Sequence, residues 1–213
     1  MLAYVYDGSF EGILTAVFEA FSRKEAPEAI LPEQGLQQDL TARYVFIAAD
    51  QAKSDRVYES VWKNISEEAL KNIYHTFLSE DSEAGTLIYR YLKLGWKMGG
   101  NVDMHLSDDT VFRINAINLK VEHEVHKLMG FIRFRQVEGG LFYSSISPDH
   151  NIVELLAPRF AERLSDQNWI IHDVKRELAA VASQNFCQFF SLFLSNFLPL
   201  TNSLIVFNQQ LMI

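Results

Sequence analysis

The chain contains one cysteine, Cys187, among its 213 residues. A single thiol excludes an internal disulfide, and it cannot supply the three or four thiolates of a cysteine-ligated iron–sulfur cluster or zinc finger. Any cluster chemistry associated with this protein would therefore have to come from another chain, and we predict no cofactor for the chain itself.

Basic side chains are also scarce, and they are unevenly distributed. The chain has 19 Lys and Arg residues against 27 Asp and Glu residues, and the resulting net charge of −8 opposes non-specific binding to nucleic acid. Residues 1–119 carry 11 basic and 18 acidic side chains, residues 120–177 carry 8 and 9, and no charged side chain follows Glu177. A nucleic-acid surface would therefore be a local patch, and segment 120–177 is the better place for it.

The start of the chain lacks the pattern of a secretory signal. The first residues, MLAYVYDGSFEG, contain no basic segment followed by a long apolar run, which predicts a cytoplasmic protein. A hydrophobic content of 48% with 22% charged residues is typical of a globular chain that buries a full core.

The spacing of apolar residues predicts an α+β fold. Apolar runs of strand length begin at Leu2, Tyr44, Phe131, Leu141 and Trp169. Apolar residues recur at helical spacing after Ser9, over about 50–64, 66–78, 82–97 and 107–129, and again from Ile152. We expect a mostly antiparallel sheet with the long helices on one face, in a single domain over 1–182 that has a helical insertion at about 50–98.

The loop after the first predicted strand could hold an anion or supply an acid. Asp7-Gly8 forms a turn and Ser9 caps the following helix, whose first backbone N–H groups face the same loop. One glycine is far from a phosphate-binding fingerprint, and Asp before Gly is common in ordinary turns. Asp7 is therefore a candidate catalytic residue, with turn formation as the alternative.

His123 and His126 share a polar face of the helix predicted over 107–129, about 60° apart and beside Glu122. The HEVH run differs from the H-E-x-x-H zinc signature, so we predict no metal site and interpret the face as solvated or hydrogen-bonding. His126 is retained as a candidate catalytic residue.

The strand predicted from Phe131 carries the strongest nucleic-acid pattern. Alternation places Phe131, Arg133 and Arg135 on one side of the strand, where a ring could stack on a base and two guanidinium groups could bind phosphates. A face covered by helices, with its arginines paired to acids, would give the same pattern. Gly139-Gly140 then predicts a hairpin into residues 141–147.

Three charged residues end the last predicted strand. Asp173 is the best single acid candidate in the chain, although an Asp near an Arg is also the commonest structural ion pair. Lys175 and Arg176 follow it, and we add both to the predicted nucleic-acid-binding residues.

Four motifs together resemble a known family. They are YVYDGSFEGILTAVFEAF near the start, E-x-H-K-x-x-G-F-x-R-F over 124–134, the Pro148-Asp149-His150 turn, and W-I-I-H-D-x-K-R over 169–176. In this order, over about residues 1–180, they resemble a bacterial family of uncharacterised proteins assigned to DNA repair or DNA metabolism.

The resemblance implies a context and no mechanism. Members of this family are typically encoded beside a radical-SAM protein assigned to DNA modification or repair, and related domains occur fused to a uracil-DNA glycosylase-like domain. The resemblance therefore implies a DNA context and a radical-SAM partner. The residues of this chain that belong to the family's motifs include Asp7, Gly8, His126, Arg133, Phe134, Asp173 and Arg176. This chain departs from the family at Arg159-Phe160, where a histidine is expected before the phenylalanine.

The last 31 residues, 183–213, form an uncharged, Phe-rich tail where the family continues with a charged segment. Ser, Asn, Thr and Pro199 interrupt the apolar content and no Lys or Arg flanks it, which disfavours a membrane anchor. We predict an aberrant or frame-shifted end, with an anchor or a partner-binding segment as the alternatives.

Two classes of function follow. The first is a non-enzymatic module that binds DNA or docks the radical-SAM partner. The second is a glycosylase-like hydrolase that acts on nucleic acid or a nucleotide and uses Asp7 or Asp173 to activate water. The sequence shows neither a phosphate-binding loop nor a helix-hairpin-helix motif, and these absences favour the module.

Overall fold

A computed structural model describes residues 1–36, 40–183 and 186–191 of the chain. Tertiary contacts divide the chain into two compact units, 1–122 and 123–213. The expectation that residues 1–182 form a single domain stays a prediction. The α+β class is confirmed, because both units contain helices and strands.

The first unit is built on a three-stranded parallel sheet. Its strands are β1 (Leu2–Tyr6), β2 (Ala29–Pro32) and β3 (Arg43–Ile47), in the order β2-β1-β3. Helix α1 (Phe10–Ser22) connects β1 to β2, and a helical crossover returns the chain in the same direction, which makes these neighbours parallel. The central strand β1 is buried from Ala3 to Tyr6, as a strand covered on both faces should be.

Three helices follow the sheet, where the apolar spacing predicts them. They are α2 (Gln51–Asn64), α3 (Glu67–Leu78) and α4 (Ala84–Met98). The predicted helix starts at Ser9 and Ser66 are confirmed, because each hydroxyl accepts a hydrogen bond from a backbone N–H three residues later, at 2.9 and 3.0 Å. Ser82, where the next helix was predicted to begin, does not cap it. The N-cap of α4 is Glu83, and its side chain makes no capping hydrogen bond.

A glycine lets α4 approach the edge strand β2. A Cβ atom at Gly85 would lie 2.6 Å from the carbonyl oxygen of Ile30 and 3.2 Å from a ring carbon of Tyr6. The next residue, Thr86, joins the same edge, because its Oγ1 accepts a hydrogen bond from the Ile30 N–H at 3.0 Å. Helix and strand therefore meet at a distance that only glycine permits.

We expect Gly85→Ala to destabilise the protein by about 1–3 kcal/mol, because the backbone of Ile30 must move to admit a methyl group. Helix propensity alone predicts the opposite sign, a gain of about 1 kcal/mol. Gly95→Ala is the matched control, since its Cβ would meet the flexible end of the Ile65 side chain at 2.6 Å, and we expect a smaller loss. Urea unfolding measures both, and equal effects would contradict the close-approach argument.

The second unit contains a mixed five-stranded sheet. Its strands are β4 (Arg135–Gln136), β5 (Phe142–Ile146), β6 (Trp169–Asp173), β7 (Leu178–Ser183) and β8 (Phe186–Ser191), in chain order across the sheet. Strands β5 and β6 are parallel, because helix α6 (Val153–Arg163) crosses between them, and the other neighbours are antiparallel. The expected mostly antiparallel sheet is therefore wrong: within the described residues there is one parallel sheet and one mixed sheet.

The strand predicted from Phe131 is also wrong, because helix α5 (Asp109–Phe131) continues through Gly130 to Phe131. The Ile132 N–H still donates to the Leu128 carbonyl at 2.9 Å. Arg133 Nη1 donates to the carbonyl oxygens of Gly130 and Ile132 at 2.7 and 3.1 Å, so it satisfies acceptors that a helix end leaves open. The predicted hairpin is confirmed, with Arg135 opposite Tyr143.

The core of the second unit includes three aromatic rings. The Phe134 and Phe160 centroids are 5.6 Å apart, and Trp169 lies 6.3 Å from Phe134 and 6.4 Å from Phe160. Strand β8 pairs with β7 within the Phe-rich tail. Residues 184–185 and 192–213 lie outside the described residues, and the aberrant or frame-shifted end stays a prediction. Among the helices of the described ranges, none has the length and apolar character needed to cross a membrane.

Candidate nucleic-acid interface

The candidate site lies at the carboxyl ends of β5 and β6. These strands are parallel neighbours, so the loops that follow them emerge at the same edge of the sheet, a common position for ligands. The loop after β5 contains the Pro148-Asp149-His150 turn, called here the motif turn. A groove of about 440 Å³ lies beside it, lined by Glu124, Lys127, Leu128, Phe131, Ile132, Arg133, Ser144, Ser145, Ile146, Ser147, Pro148 and Asp149.

Glu124 of α5 holds the motif turn from one side. Its carboxylate accepts hydrogen bonds from the backbone N–H of Asp149 at 2.6 Å and of His150 at 3.0 Å, and it lies 2.6 Å from His150 Nδ1. Burial acts to raise the pKa of Glu124, but the hydrogen bonds from Asp149 and His150 outweigh it, and the pKa is lowered. Glu124 is therefore a charged anchor for two backbone donors.

Asp173 and Arg176 hold the same turn from the other side. Asp173 is 0% exposed, and its Oδ2 accepts a hydrogen bond from Arg176 Nη1 at 2.9 Å. The Arg176 guanidinium also donates to the carbonyl oxygens of Pro148 and Asp149, at 3.1 and 2.7 Å. Lys175 Nζ donates to the Asp149 carbonyl at 3.3 Å. These residues support the motif turn through its backbone.

One wall of the groove combines an aromatic ring with two cationic side chains. Phe131, the last residue of α5, is 67% exposed, and Lys127 and Arg133 line the groove with it. Ser145 and Ser147, both exposed, line it as well. An exposed ring beside cations is the combination that binds single-stranded nucleic acid, since the ring stacks on a base while the cations bind phosphate.

The remaining predicted residues lie elsewhere. Arg135 is on β4, with its guanidinium 5.0 Å from the centre of the Tyr143 ring. His126 is exposed on α5 and is not part of the groove lining. Asp7 belongs to the first unit, where its Oδ1 accepts hydrogen bonds from the N–H and hydroxyl of Ser9 at 2.9 and 2.6 Å. The structure thus unites Phe131 with Arg133 in the groove and places Lys175 and Arg176 behind the motif turn.

Sequence reasoning missed three residues of the site: Glu124, Lys127 and Asp149. The N-cap of α6 is Ile152, and Asp149 lines the groove. The available signal was position within the motifs, since Glu124 and Lys127 belong to the E-x-H-K-x-x-G-F-x-R-F run and Asp149 to the turn.

Two histidines should make the protein less stable in mild acid. Burial lowers the pKa of His172, whose Nδ1 lies 2.9 Å from the Tyr143 hydroxyl, although Asp173 and Glu177 oppose the effect. Burial also lowers the pKa of His75 in the first unit, against an opposing hydrogen bond with Asn118. Both groups therefore take up a proton more readily in the unfolded chain, where the ordinary pKa is 6.5.

We expect the free energy of unfolding to fall as the pH decreases from about 7.5 to about 5.5. The contribution of each histidine is complete above its unfolded pKa and is lost as the pH falls from that value toward the lowered folded pKa. Urea unfolding of the wild type and of a His75→Gln/His172→Gln variant measures the effect, and the variant should show a shallower pH dependence. A stability that rises in acid would contradict the assignment.

Comparison with known proteins gives a family. A model for a domain of unknown function, DUF4130, matches residues 82–206, more than half of the chain, and the chain belongs to this family. The matched region includes every residue that lines the groove and extends into the Phe-rich tail.

Other comparisons are weaker. No curated protein sequence matches the chain. Among solved structures, a DHH domain from a member of a family of ribosomal proteins is similar over 84% of this chain and 73% of its own, with 9% identity and a TM-score of 0.35.

Proposed function

We propose that this protein is a DNA-binding module of DNA repair or DNA metabolism that acts with a radical-SAM partner. The observation that carries DNA binding is the groove in which the exposed ring of Phe131 lies with Lys127 and Arg133. The repair context and the partner come from the family resemblance of the four sequence motifs.

Two features favour single strands as the ligand. A ring can stack on a base only when that base is unpaired or splayed out of a helix, and sequence-tolerant binding proteins use such rings beside cationic side chains. The net charge of −8 also disfavours broad electrostatic contact with a duplex, so binding has to rely on a local patch such as this groove.

The geometry favours a module over a hydrolase. Asp173 is 0% exposed and paired with Arg176, and it does not line the groove, so it is not placed to activate water there. Asp7 lies in the other unit and accepts two hydrogen bonds within its own turn. Both acids have structural partners that account for their presence.

Removing the two groove cations should weaken binding and flatten its salt dependence. Each phosphate contact with a single strand contributes about 0.7 to the slope of log K against log salt, so Lys127→Gln/Arg133→Gln should reduce the slope by about 1.4. Fluorescence anisotropy of labelled single-stranded and duplex DNA across a salt series measures this.

Arg159→Gln is the matched control, because it removes one positive charge from the exposed surface of α6 outside the groove lining. Lys127→Gln alone should give about half of the double-variant effect without touching the helix end that Arg133 satisfies. Absence of binding by the wild type at low salt would overturn the DNA-binding proposal. If Arg159→Gln weakened binding as much as Lys127→Gln, the groove would not be the DNA-binding site.

The partner component has its own test. Co-expression of the full chain with a radical-SAM protein of the kind encoded beside members of the resembling family should yield a complex that survives affinity purification and gel filtration. If the two proteins fail to co-purify both with and without single-stranded DNA, this part of the proposal is overturned.

A further inference from the structure

We propose that the groove accepts one unstacked guanine and that the Asp149 carboxylate binds its Watson–Crick edge. This inference rests on the proposed DNA binding and names the base that the same groove selects. The observation behind it is the geometry of the motif turn, whose backbone is held on both sides while Asp149 lines the groove.

The backbone of the motif turn is held by charged side chains on both sides. Glu124 accepts from the N–H groups of Asp149 and His150, while Arg176 donates to the carbonyls of Pro148 and Asp149. The side chain of Asp149 is exposed and lines the groove. A fixed backbone that presents a carboxylate to a groove is an arrangement suited to a specific binding site.

A carboxylate in this position has a restricted set of ligands. It repels phosphate, so the DNA backbone should lie on Lys127 and Arg133, which line the same groove. It accepts hydrogen bonds from N–H donors, and in DNA these donors are on the bases. Asp149 is therefore a specificity-determining residue, separate from the cations that bind the backbone.

Among the four bases, guanine matches a carboxylate best. Its Watson–Crick edge carries the N1–H and the N2 amino group side by side, so both carboxylate oxygens can accept one hydrogen bond each. Adenine and cytosine offer one amino group, and thymine offers one N–H between two carbonyl oxygens that repel the carboxylate. The edge is exposed only in an unpaired base, in agreement with stacking on Phe131.

The size of the groove agrees with a single nucleotide. Its volume of about 440 Å³ lies at the lower end of the range of small-molecule sites, about 300–1,000 Å³. The groove has room for one base with its phosphate, and we expect the neighbouring nucleotides to lie outside it.

The test compares oligo-dT strands of equal length that carry one central dG, one central dI or no replacement, with EDTA present. Hypoxanthine in dI keeps the N1–H of guanine and lacks the N2 amino group. Wild-type protein should bind the dG strand about tenfold more tightly than the unreplaced strand, with the dI strand between them. Asp149→Asn should reduce the dG preference to less than about threefold, since its amide cannot accept both hydrogen bonds.

Glu162→Gln is the matched control, because it removes one negative charge from the exposed surface of α6 outside the groove lining and should keep the dG preference. The unfolding midpoint of Asp149→Asn checks its fold, and the wild-type comparison of the three strands needs no variant.

The outcomes separate the two proposals. Equal affinity for the three strands would overturn the guanine inference and leave the proposed DNA binding standing, whereas no binding to any strand would overturn both. A dG preference that persists in Asp149→Asn would remove Asp149 from base selection. A preference that appears only when Mg²⁺ replaces EDTA would show that the carboxylate holds a cation instead, and would also overturn the inference.

Discussion

Replacing Arg176 by methionine should lower the free energy of unfolding by about 3–5 kcal/mol, one of the largest losses expected from a single substitution in this chain. The Arg176 side chain is 7% exposed and that of its partner Asp173 is 0% exposed, so the substitution leaves an acid buried without its counter-charge. The carbonyls of Pro148 and Asp149 lose their guanidinium donor as well. Methionine keeps a long apolar stem, which limits the effect to charge and hydrogen bonding.

Urea unfolding followed by far-UV circular dichroism measures the loss. The double variant Asp173→Asn/Arg176→Met should recover a large part of it, because the buried charge is gone while an Asn oxygen can still accept from the N–H groups of Lys175 and Arg176. A loss below about 1 kcal/mol for Arg176→Met would mean that this ion pair behaves like a solvated one and does not anchor the motif turn.

Replacing Phe131 by alanine should weaken binding to single-stranded DNA by about 5- to 150-fold, because one stacked base contributes about 1–3 kcal/mol. The salt dependence should stay as in the wild type, since no charge is removed. The ring is 67% exposed, so its loss should change the stability of the protein only slightly. The contribution of ring stacking to affinity can therefore be measured separately from the contribution of charge within the same groove.

Phe112→Ala is the matched control for this substitution. Phe112 is 58% exposed on the same helix, α5, and does not line the groove. Fluorescence anisotropy with one labelled strand compares both variants with the wild type. Unchanged affinity in Phe131→Ala, or the same loss of affinity in Phe112→Ala, would show that Phe131 does not stack on a base of the bound strand.

Local sequence signals predicted the helices well. Hydroxyl side chains at Ser9 and Ser66 cap the helices that follow them, and the apolar spacing located α2, α3 and α4. These signals succeed because a cap and an amphipathic stripe depend on residues within one or two turns of each other.

The direction of the strands was predicted wrongly, because an apolar run has the same appearance in a parallel and an antiparallel strand. The connections held the information: α1 joins β1 to β2 and α6 joins β5 to β6, and such helical crossovers produce parallel neighbours. A helix between two strands thus indicates that they are parallel neighbours, which gives the correct direction for β1 with β2 and for β5 with β6.

The site was predicted in part. Phe131 and Arg133 do meet, but at a helix end, because Arg133 satisfies the carbonyls that Gly130 and Ile132 leave open, a contact that alternation in the sequence does not reveal. The role of Asp149 depends on Glu124 and Arg176, which lie 25 and 27 positions away in the chain. Sequence spacing alone contains no sign of this convergence.

Ultraviolet cross-linking of the wild-type protein to a single-stranded oligonucleotide, followed by trypsin digestion and mass spectrometry, tests most directly that the groove binds DNA. Cleavage after Lys127 and Arg133 releases residues 128–133, which contain Phe131, as one peptide. We predict that this peptide carries the main nucleotide adduct and that the adduct is lost in Phe131→Ala. Adducts confined to peptides without groove residues, under conditions where the protein binds the strand, would contradict the account.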